Sequence, residues 1–402
     1  MNHLTMRLWV LFLLQFIASV TFGGQDSTQV TKKEKSISIV PLPAISANPT
    51  AGLILGMAPS FNWVMGNPES TSMSTAIGMA LVTTKRQLFT SLRSNVFLRD
   101  DSWTLLTDFR FNINNQPSFG LGSTLNFVRD LSPPDLSTTD ILGKEMLFFN
   151  HFRAYGTAKK RLGNSRFFYG LGFHYDAMSK IDVREQNFEE LPGFFQAYNE
   201  GLDIPTDAFR QTGFSLNAVY DTRDNVANTY KGKYLFASWR GFSEALGSTS
   251  NSGQLWVEYR DYLTLNKERP RNILALWSYV WTVTGGDVPY LFLPAVGWDM
   301  FSRSGRGYTQ GRFRGEDLFY TELEWRFPLQ RKKDRWGGTL FANTTSASSR
   351  TQDLGILETF QLGYGLGLRY MVLPKKRINI ALDYGWGAGG ASGIFLNVNE
   401  MF

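Results

Sequence analysis

The sequence predicts an all-β protein, specifically a 16-stranded antiparallel transmembrane β-barrel. Three observations predict it: strict alternation of bulky apolar with small or polar residues near the C-terminal end, a composition rich in aromatics and glycine, and short basic turns opposed to long loops. In the first of the closing strands, Phe360, Leu362, Tyr364, Leu366, Leu368 and Tyr370 interleave with Gln361, Gly363, Gly365, Gly367 and Arg369. In the second, Ile378, Ile380, Leu382, Tyr384 and Trp386 interleave with Asn379, Ala381, Asp383, Gly385 and Gly387. Successive strand residues point to opposite faces. Each segment therefore has one greasy aromatic face, suited to lipid, and one small or polar face, suited to a lumen.

Composition agrees. Aromatics make up 15% and charged residues only 19%, against about 25% charged in ordinary soluble domains. Mean hydropathy is −0.20, as expected where lumen-facing residues offset lipid-facing ones. There is no cysteine, so disulfides, thiolate metal sites and a lipidated N-terminal cysteine are excluded. A net charge of +6 is too mild and too dispersed to point to nucleic acid.

From the N-terminus, Arg7 followed by the apolar run Leu8 to Val20 and the small residues around Thr21-Phe22-Gly23 reads as a signal peptide over 1–23. That run is shorter than the about 20 apolar residues of a spanning helix. Residues 24–48, with Lys32-Lys33-Glu34-Lys35, read as a short polar periplasmic leader, and 49–402 as the barrel. Alternating runs bounded by turn residues fall near 50–65, 70–84, 86–98, 102–114, 117–129, 144–159, 164–180, 208–221, 231–244, 250–264, 270–286, 318–329, 335–345, 358–373, 377–387 and 391–402. An even count puts both termini on one side, expected to be the periplasm of a Gram-negative-type bacterium. The turns at Thr84-Lys85-Arg86, Lys159-Lys160-Arg161, Lys267 to Arg271, Arg331 to Arg335 and Lys375-Lys376-Arg377 are then expected on that same side. Long loops near 130–143, 181–207, 287–317 and 346–357 are expected outside. The basic turns suit the phosphate headgroups of the inner leaflet or simple solvation.

Several motifs follow in one order: Leu42-Pro43-Ala44-Ile45 with Asn48-Pro49-Thr50-Ala51-Gly52, Tyr220-Asp221-Thr222-Arg223-Asp224-Asn225, Gly305-Arg306-Gly307-Tyr308, Glu324-Trp325-Arg326-Phe327-Pro328, and Gly365-Leu366-Gly367-Leu368-Arg369-Tyr370. Together they resemble the bacterial surface-antigen barrel of the BamA/TamA outer-membrane superfamily, in the subgroup lacking POTRA domains. The resemblance implies that the long extracellular loop carrying Arg306, Gly307 and Tyr308 folds back into the lumen, where Arg306 reaches polar groups of the inner wall. Alternation puts Glu322, Glu324 and Arg326 on that wall, and Arg306 could pair with Glu324 through two parallel hydrogen bonds. Asn343 stands where the family usually offers an aspartate, which shifts the expected lock toward Glu324 and Asp383. The terminal Phe402 resembles the signal by which barrel assembly machinery recognises its clients, and suits the interfacial aromatic girdle as well.

Catalysis needs a fixed constellation, and the mature chain offers only His151 and His174, with His174 and Asp176 on a lumen face. No enzyme, metal or cofactor is expected. Asp221-Thr222-Arg223-Asp224 reads as a turn whose aspartates bond backbone amides. Two functions stay open. One is protein or lipid insertion or translocation at the outer membrane through a weak seam, with a separate periplasmic partner. The other is a plugged, porin-like or structural surface barrel. The seam is expected between strand 50–65, weakened by Gly52 and Gly56, and the last strand at Leu396. Outer-membrane lipids and, during biogenesis, the assembly machinery are the remaining expected partners.

Overall fold

Alternating runs become strands here because one face of each can meet lipid only if every backbone group is bonded to a neighbouring strand. The computed structural model describes residues 38–40, 43–67, 69–124, 145–184, 193–226, 228–330, 335–350, 353–374 and 377–402. The first strands are β1 (Ser38–Val40), β2 (Pro43–Asn48), β3 (Gly52–Met57), β4 (Ser60–Trp63), β5 (Ser74–Thr83), β6 (Leu88–Phe97), β7 (Trp103–Ser118), β8 (Glu145–Arg161) and β9 (Phe167–Arg184). They continue with β10 (Phe209–Asp221), β11 (Gly232–Phe242), β12 (Ser252–Thr264), β13 (Ile273–Gly286), β14 (Asp317–Pro328), β15 (Trp336–Ala347), β16 (Gln361–Leu373), β17 (Ile378–Gly387) and β18 (Ser392–Val398). One short helix, α1 (Phe194–Glu200), lies in the segment before β10.

All pairings are antiparallel, from β5 to β18 between sequence neighbours, and β18 returns to β2 to close the ring. β1 pairs with β4 and β2 with β3, while β3 and β4 both pair with β5. Those four segments are thus two interrupted barrel strands, and the closed barrel has sixteen. Between β3 and β4 stands Pro59, which has no N–H to give to a ladder.

The two faces separate as the alternation requires. On β16, Leu362, Tyr364 and Leu366 are 64%, 59% and 50% exposed to the lipid side, whereas Arg369 on the opposite face is 2% exposed. The wall is uneven in height: β8 and β9 run 17 and 18 residues, while β2 and β18 run 6 and 7. Two clusters of buried apolar residues stand out. One, around Trp256, Trp277, Tyr279, Tyr320 and Phe402, lines β12 to β14. The other, around Phe149, Phe195, Phe209, Tyr290 and Leu293, joins α1 and the segment before β14 to the long-loop end of the wall.

The sixteen strands are not all the expected ones. The expected leader at 24–48 supplies the first barrel strand from Ser38 to Asn48, so the barrel begins before residue 49. The expected pair 102–114 and 117–129 is instead one strand ending at Ser118; the rest of the second run, from 125, lies outside the described residues. One strand gained and one lost keep the count even. Between them, however, every connection changes side: the Thr84-Lys85-Arg86 turn shares its rim with the 287–316 loop, and not with the basic turns near 162–166 and 265–272. β18 ends at Val398 rather than running to Phe402. Asn399 takes a left-handed φ of 69° and the chain turns inward, so Phe402 packs on Trp277 inside the lumen rather than at an interfacial girdle.

Candidate functional site: the in-folded loop and its seat

The loop 287–316 enters the lumen and presses its tip against β15, β16 and β17 (Arg306 with Asn343, Tyr308 with Leu362, Gly307 with Trp386). The small face of those strands is what admits it. A methyl group on Gly385 would stand 2.7 Å from the Gly307 nitrogen, and one on Gly387 2.5 Å from the Tyr308 ring. Gly307 itself has φ 103°, and a side chain there would stand 2.6 Å from the Trp386 carbonyl oxygen. The glycines read as a generic lumen face are therefore a groove shaped for backbone contact.

Arg306 is fully buried and meets three carboxylates. Its Nη2 donates to Glu322 Oε1 at 2.6 Å and its Nη1 to Asp383 Oδ2 at 2.7 Å. Glu324 Oε2 is a third partner at 3.3 Å, within ion-pair range without a hydrogen bond. The expected parallel pair of bonds with Glu324 is thus replaced by Glu322 and Asp383. The guanidinium lies 3.6 Å from the centre of the Phe341 ring, a cation–π contact. Asn343 contributes differently from an aspartate: its Nδ2 donates to the Arg306 carbonyl at 2.9 Å, fixing the loop backbone. The Tyr308 hydroxyl donates to the Leu362 carbonyl and accepts from the Ala388 amide at 2.8 Å. Tyr320 braces the seat, donating to Glu322 Oε2 at 2.7 Å and accepting from the Gly305 amide at 3.1 Å.

The cluster extends to the inward-turned end of the chain. Arg369 bonds Asp383, Glu324 Oε1 at 3.1 Å and Glu400 Oε2 at 2.7 Å. Arg326 donates to Glu324 Oε2 at 3.2 Å and to the Phe402 backbone oxygen at 3.0 Å. Three guanidiniums and four carboxylates, all buried, thereby join the loop, β14, β16, β17 and the segment after β18. Arg369 was legible as a charge on the small face of β16, level with Ala381 and two residues from Asp383's partner Gly367. Glu400 was not, because a strand running to Phe402 would not bring it back to the lumen wall.

The expected seam residues separate. Gly52 and Gly56 lie in β3, paired with Asn48 and Ala44 of β2. Leu396 pairs with Ala47, the single register pair between β18 and β2 among the described residues. Ser46 Oγ adds a bond to the Leu396 carbonyl. On its other side β18 is paired along its full length, from Ile380↔Val398 to Trp386↔Ser392.

The histidines lie on the far wall. His151 Nε2 and Arg153 Nε each lie 2.8 Å from Asp176 Oδ1. His174 Nε2 shares a 2.7 Å hydrogen bond with Ser215 Oγ, and Asp176 does not orient it. Asp221 and Asp224 behave as turn residues: Asp224 accepts from the Tyr230 and Lys231 amides and from Arg377, and Asp221 accepts from Arg223.

Residues 82–387 match the Omp85 superfamily domain. The chain belongs to the Omp85 superfamily. Among solved structures it is similar to BamA from Haemophilus ducreyi lacking POTRA domains 1–3, at 13% identity and a TM-score of 0.61, covering 92% of this chain and 71% of that one. It is also similar to CdiB from Acinetobacter baumannii (11% identity, TM-score 0.51, 90% of this chain and 65% of that one) and CdiB from Escherichia coli (10%, 0.53, 91% and 67%). At such identities the likeness shows the fold. No curated protein matches the sequence. The protein is an outer-membrane β-barrel of the Omp85 superfamily, and the in-folded loop and the short seam are the two features of that barrel on which a function can act.

Proposed function

We propose that this Omp85 barrel assists insertion or translocation of protein or lipid at the outer membrane, using the junction of β18 with β2 as a lateral opening. The observation that carries the reading is the seam itself. Among the described residues one register pair, Leu396↔Ala47, closes it, so the facing edges of β18 and β2 share little ladder. Such an edge is a template for an incoming strand. The β18 edge is also short, so little ladder has to break before a client strand can pair. The rim bearing the short turns is the periplasmic one in this reading, and a separate periplasmic protein delivers the client there.

The test uses a cysteine pair at 47 and 396, the only thiols in an otherwise cysteine-free chain. Reconstituted in liposomes, the variant is asked to insert a small urea-unfolded outer-membrane barrel, followed by that barrel's heat-modifiable gel shift. Insertion lost on oxidation and restored by reductant supports the lateral opening. Equal insertion with the seam locked sinks it.

The plug formed by α1 and the 287–316 loop favours a second reading, a closed porin-like barrel. Single-channel conductance of Arg306→Ala separates the two. A large open pore that conducts without any seam dependence of insertion supports the second.

A further inference from the structure

One part of the lumen wall stays bare beside the in-folded loop. β5 and β6 turn Ile77, Met79, Leu81 and Phe89 to the same face as Arg93: Ile77 stands opposite Arg93 in register, Met79 opposite Ser91, and Leu81 opposite Phe89. Arg93 marks that face as the lumenal one. Its Nε lies 3.4 Å from Asp108, both oxygens of Asp108 are bonded by Arg110, and Arg110 also donates to the Met300 carbonyl of the loop at 3.0 Å. None of the four apolar wall residues belongs to either buried cluster, and Ile77 is 39% exposed inside the barrel. The loop brings two more apolar side chains here. Met300 and Phe301 are 49% and 46% exposed, and the Phe301 ring centre lies 5.9 Å from the Arg93 guanidinium. Arg93 is thus bracketed by Ile77 on the wall and Phe301 on the loop. From Ile77 to Leu81 the strip runs about 13 Å along the strand. Apolar surface left in a wet lumen costs about 25 cal/mol for each Å², so the strip calls for an apolar cover.

The polar groups at the Ile77 end of the strip are unspent. Arg93 makes no hydrogen bond among the described residues, and its Nε is buried without a partner. The carboxylate it approaches, Asp108, is already held by Arg110. Arg303, 5.6 Å from the Phe301 ring, donates to backbone oxygens of Val398 and Glu400. Asp299 is taken up by the amides of Phe301, Arg303 and Ser304. Ser91 Oγ and Asn95 Oδ1, two residues to either side of Arg93 on its own face, are buried without partners as well. An apolar strip that ends at an unbonded guanidinium matches an amphiphile with an anionic head.

We propose that this strip holds the acyl chain of a phospholipid inside the lumen, with the lipid phosphate on Arg93. A guanidinium takes a phosphate through parallel charge-assisted hydrogen bonds, and Ser91 and Asn95 can meet the hydroxyls of a glycerol head. A polypeptide fits less well. The lumen face of paired strands offers no free ladder, so an extended peptide lying there would bury N–H and C=O groups without partners, whereas an acyl chain has none to satisfy. The position suits lipid too, because β5 is the partner of β3 and β4 and so stands close to the seam. The proposal deepens the lipid branch of the proposed function, and rests on that reading for how lipid comes to the lumen.

The experiment places the purified barrel in nanodiscs containing phosphatidylglycerol with a diazirine at the end of one acyl chain. After irradiation, adducts are mapped by mass spectrometry. Val82 and Leu92, exposed on the membrane face of the same two strands, label in every sample and set the scale. Adducts at Met79, Leu81 or Met300 are expected as well. Arg93→Gln should weaken those lumen adducts about tenfold, the loss of roughly one charge-assisted hydrogen bond. The same chain on an uncharged diacylglycerol should be weaker by as much in wild type. Phe301→Ser, at an exposed loop position, should lower the Met79 adduct in the same direction. Each variant is first shown to keep the folded gel-shift band. Adducts confined to the membrane face would overturn the proposal, and so would equal lumen labelling by the diacylglycerol. Lumen labelling by a photoreactive unfolded barrel in preference to the lipid would assign the strip to protein and overturn it too. Oxidising the 47–396 cysteine pair reads the entry route separately. Lumen adducts lost on locking support both readings, and adducts that survive the lock keep the lipid site even where the lateral opening fails.

Discussion

Arg306 and Arg314 lie on one loop, are both buried, and meet opposite environments. Arg306 faces Glu322, Glu324 and Asp383; Arg314 faces the Tyr290 and Leu293 carbonyls and the rings of Tyr290 and Trp298. The difference teaches where the loop's seating energy resides. On the β14–β17 side, the wall itself supplies opposite charge, and removing the loop arginine would leave carboxylates crowded in a medium that screens them poorly. Beside Arg314 those partners are uncharged, so removing the arginine leaves behind no charge. The two positions predict unequal penalties. Arg306→Ala is expected to cost on the order of 3–5 kcal/mol, the range for breaking a buried ion pair from one side. It should also free the loop to added protease. Arg314→Met, which strands two carbonyls, is expected to cost about 1–3 kcal/mol. Unfolding followed by gel shift across a urea series reads both. Equal losses would mean that the wall carboxylates do not distinguish the anchors. Adding Glu322→Gln and Asp383→Asn to Arg306→Met should then recover stability, because the orphaned charges are gone.

Asn343 sharpens the same comparison, since it lies inside the charged anchor without carrying charge. The family pattern suggests that an aspartate there would strengthen the lock. The geometry predicts the reverse. Its Nδ2 donates to the Arg306 carbonyl at 2.9 Å and lies 3.5 Å from Glu322 Oε2. An aspartate would oppose oxygen to oxygen at both and add a fifth carboxylate to a cluster whose arginines already face four. Asn343→Asp is therefore expected to destabilise by about 1–3 kcal/mol, read as a lower gel-shift temperature at neutral pH. An unchanged or higher temperature would show that the loop carbonyl is not held through this amide.

The barrel was legible in the sequence because lipid enforces alternation, and β16 and β17 carry it without a break. The triplet Arg306-Gly307-Tyr308 was legible too, as was the lumen face of Glu322, Glu324 and Arg326. Which carboxylate Arg306 bonds was not: that depends on how deep the loop descends, and the glycine groove of β16 and β17 carries it down to Glu322 and Asp383. The first barrel strand was missed because its two segments are three and six residues long and lack the aromatic lipid face of later strands. A spurious break near residue 115 offset that loss, since Asn114, Asn115, Gln116 and Pro117 look like a turn while β7 runs straight through them. The inward turn at Asn399 rests on one left-handed residue before a short terminal run, where alternation alone cannot tell strand from tail. Ile77, Arg93 and Phe301 form no motif at all; only the folded barrel and its loop bring them together.

The weakest expected effect lies at the opposite rim, where the 222–231 turn is tied across the lumen mouth to the turn before β17. Arg377 Nη1 donates to Asp224 Oδ2 at 2.7 Å and stacks 3.9 Å from the Tyr230 ring centre. Burial raises the Asp224 pKa, but the bond from Arg377 and the amides of Tyr230 and Lys231 outweigh it, and the net shift is downward. A carboxylate with a depressed folded pKa contributes stability above its unfolded value, near about 3.9, and loses it as pH falls through the folded one. Both side chains are partly exposed, so solvent screens the pair and the contribution is small. Asp224→Asn should therefore unfold at a slightly lower temperature than wild type at pH 7, and the gap should shrink as pH falls below about 3.9. The buried Arg306 cluster, compared through Arg306→Ala across the same range, should keep a gap at pH 3 larger than the Asp224 gap at pH 7. If Asp224→Asn instead matched the Arg306→Ala loss, the rim tie and not the loop seat would be the principal latch of this barrel.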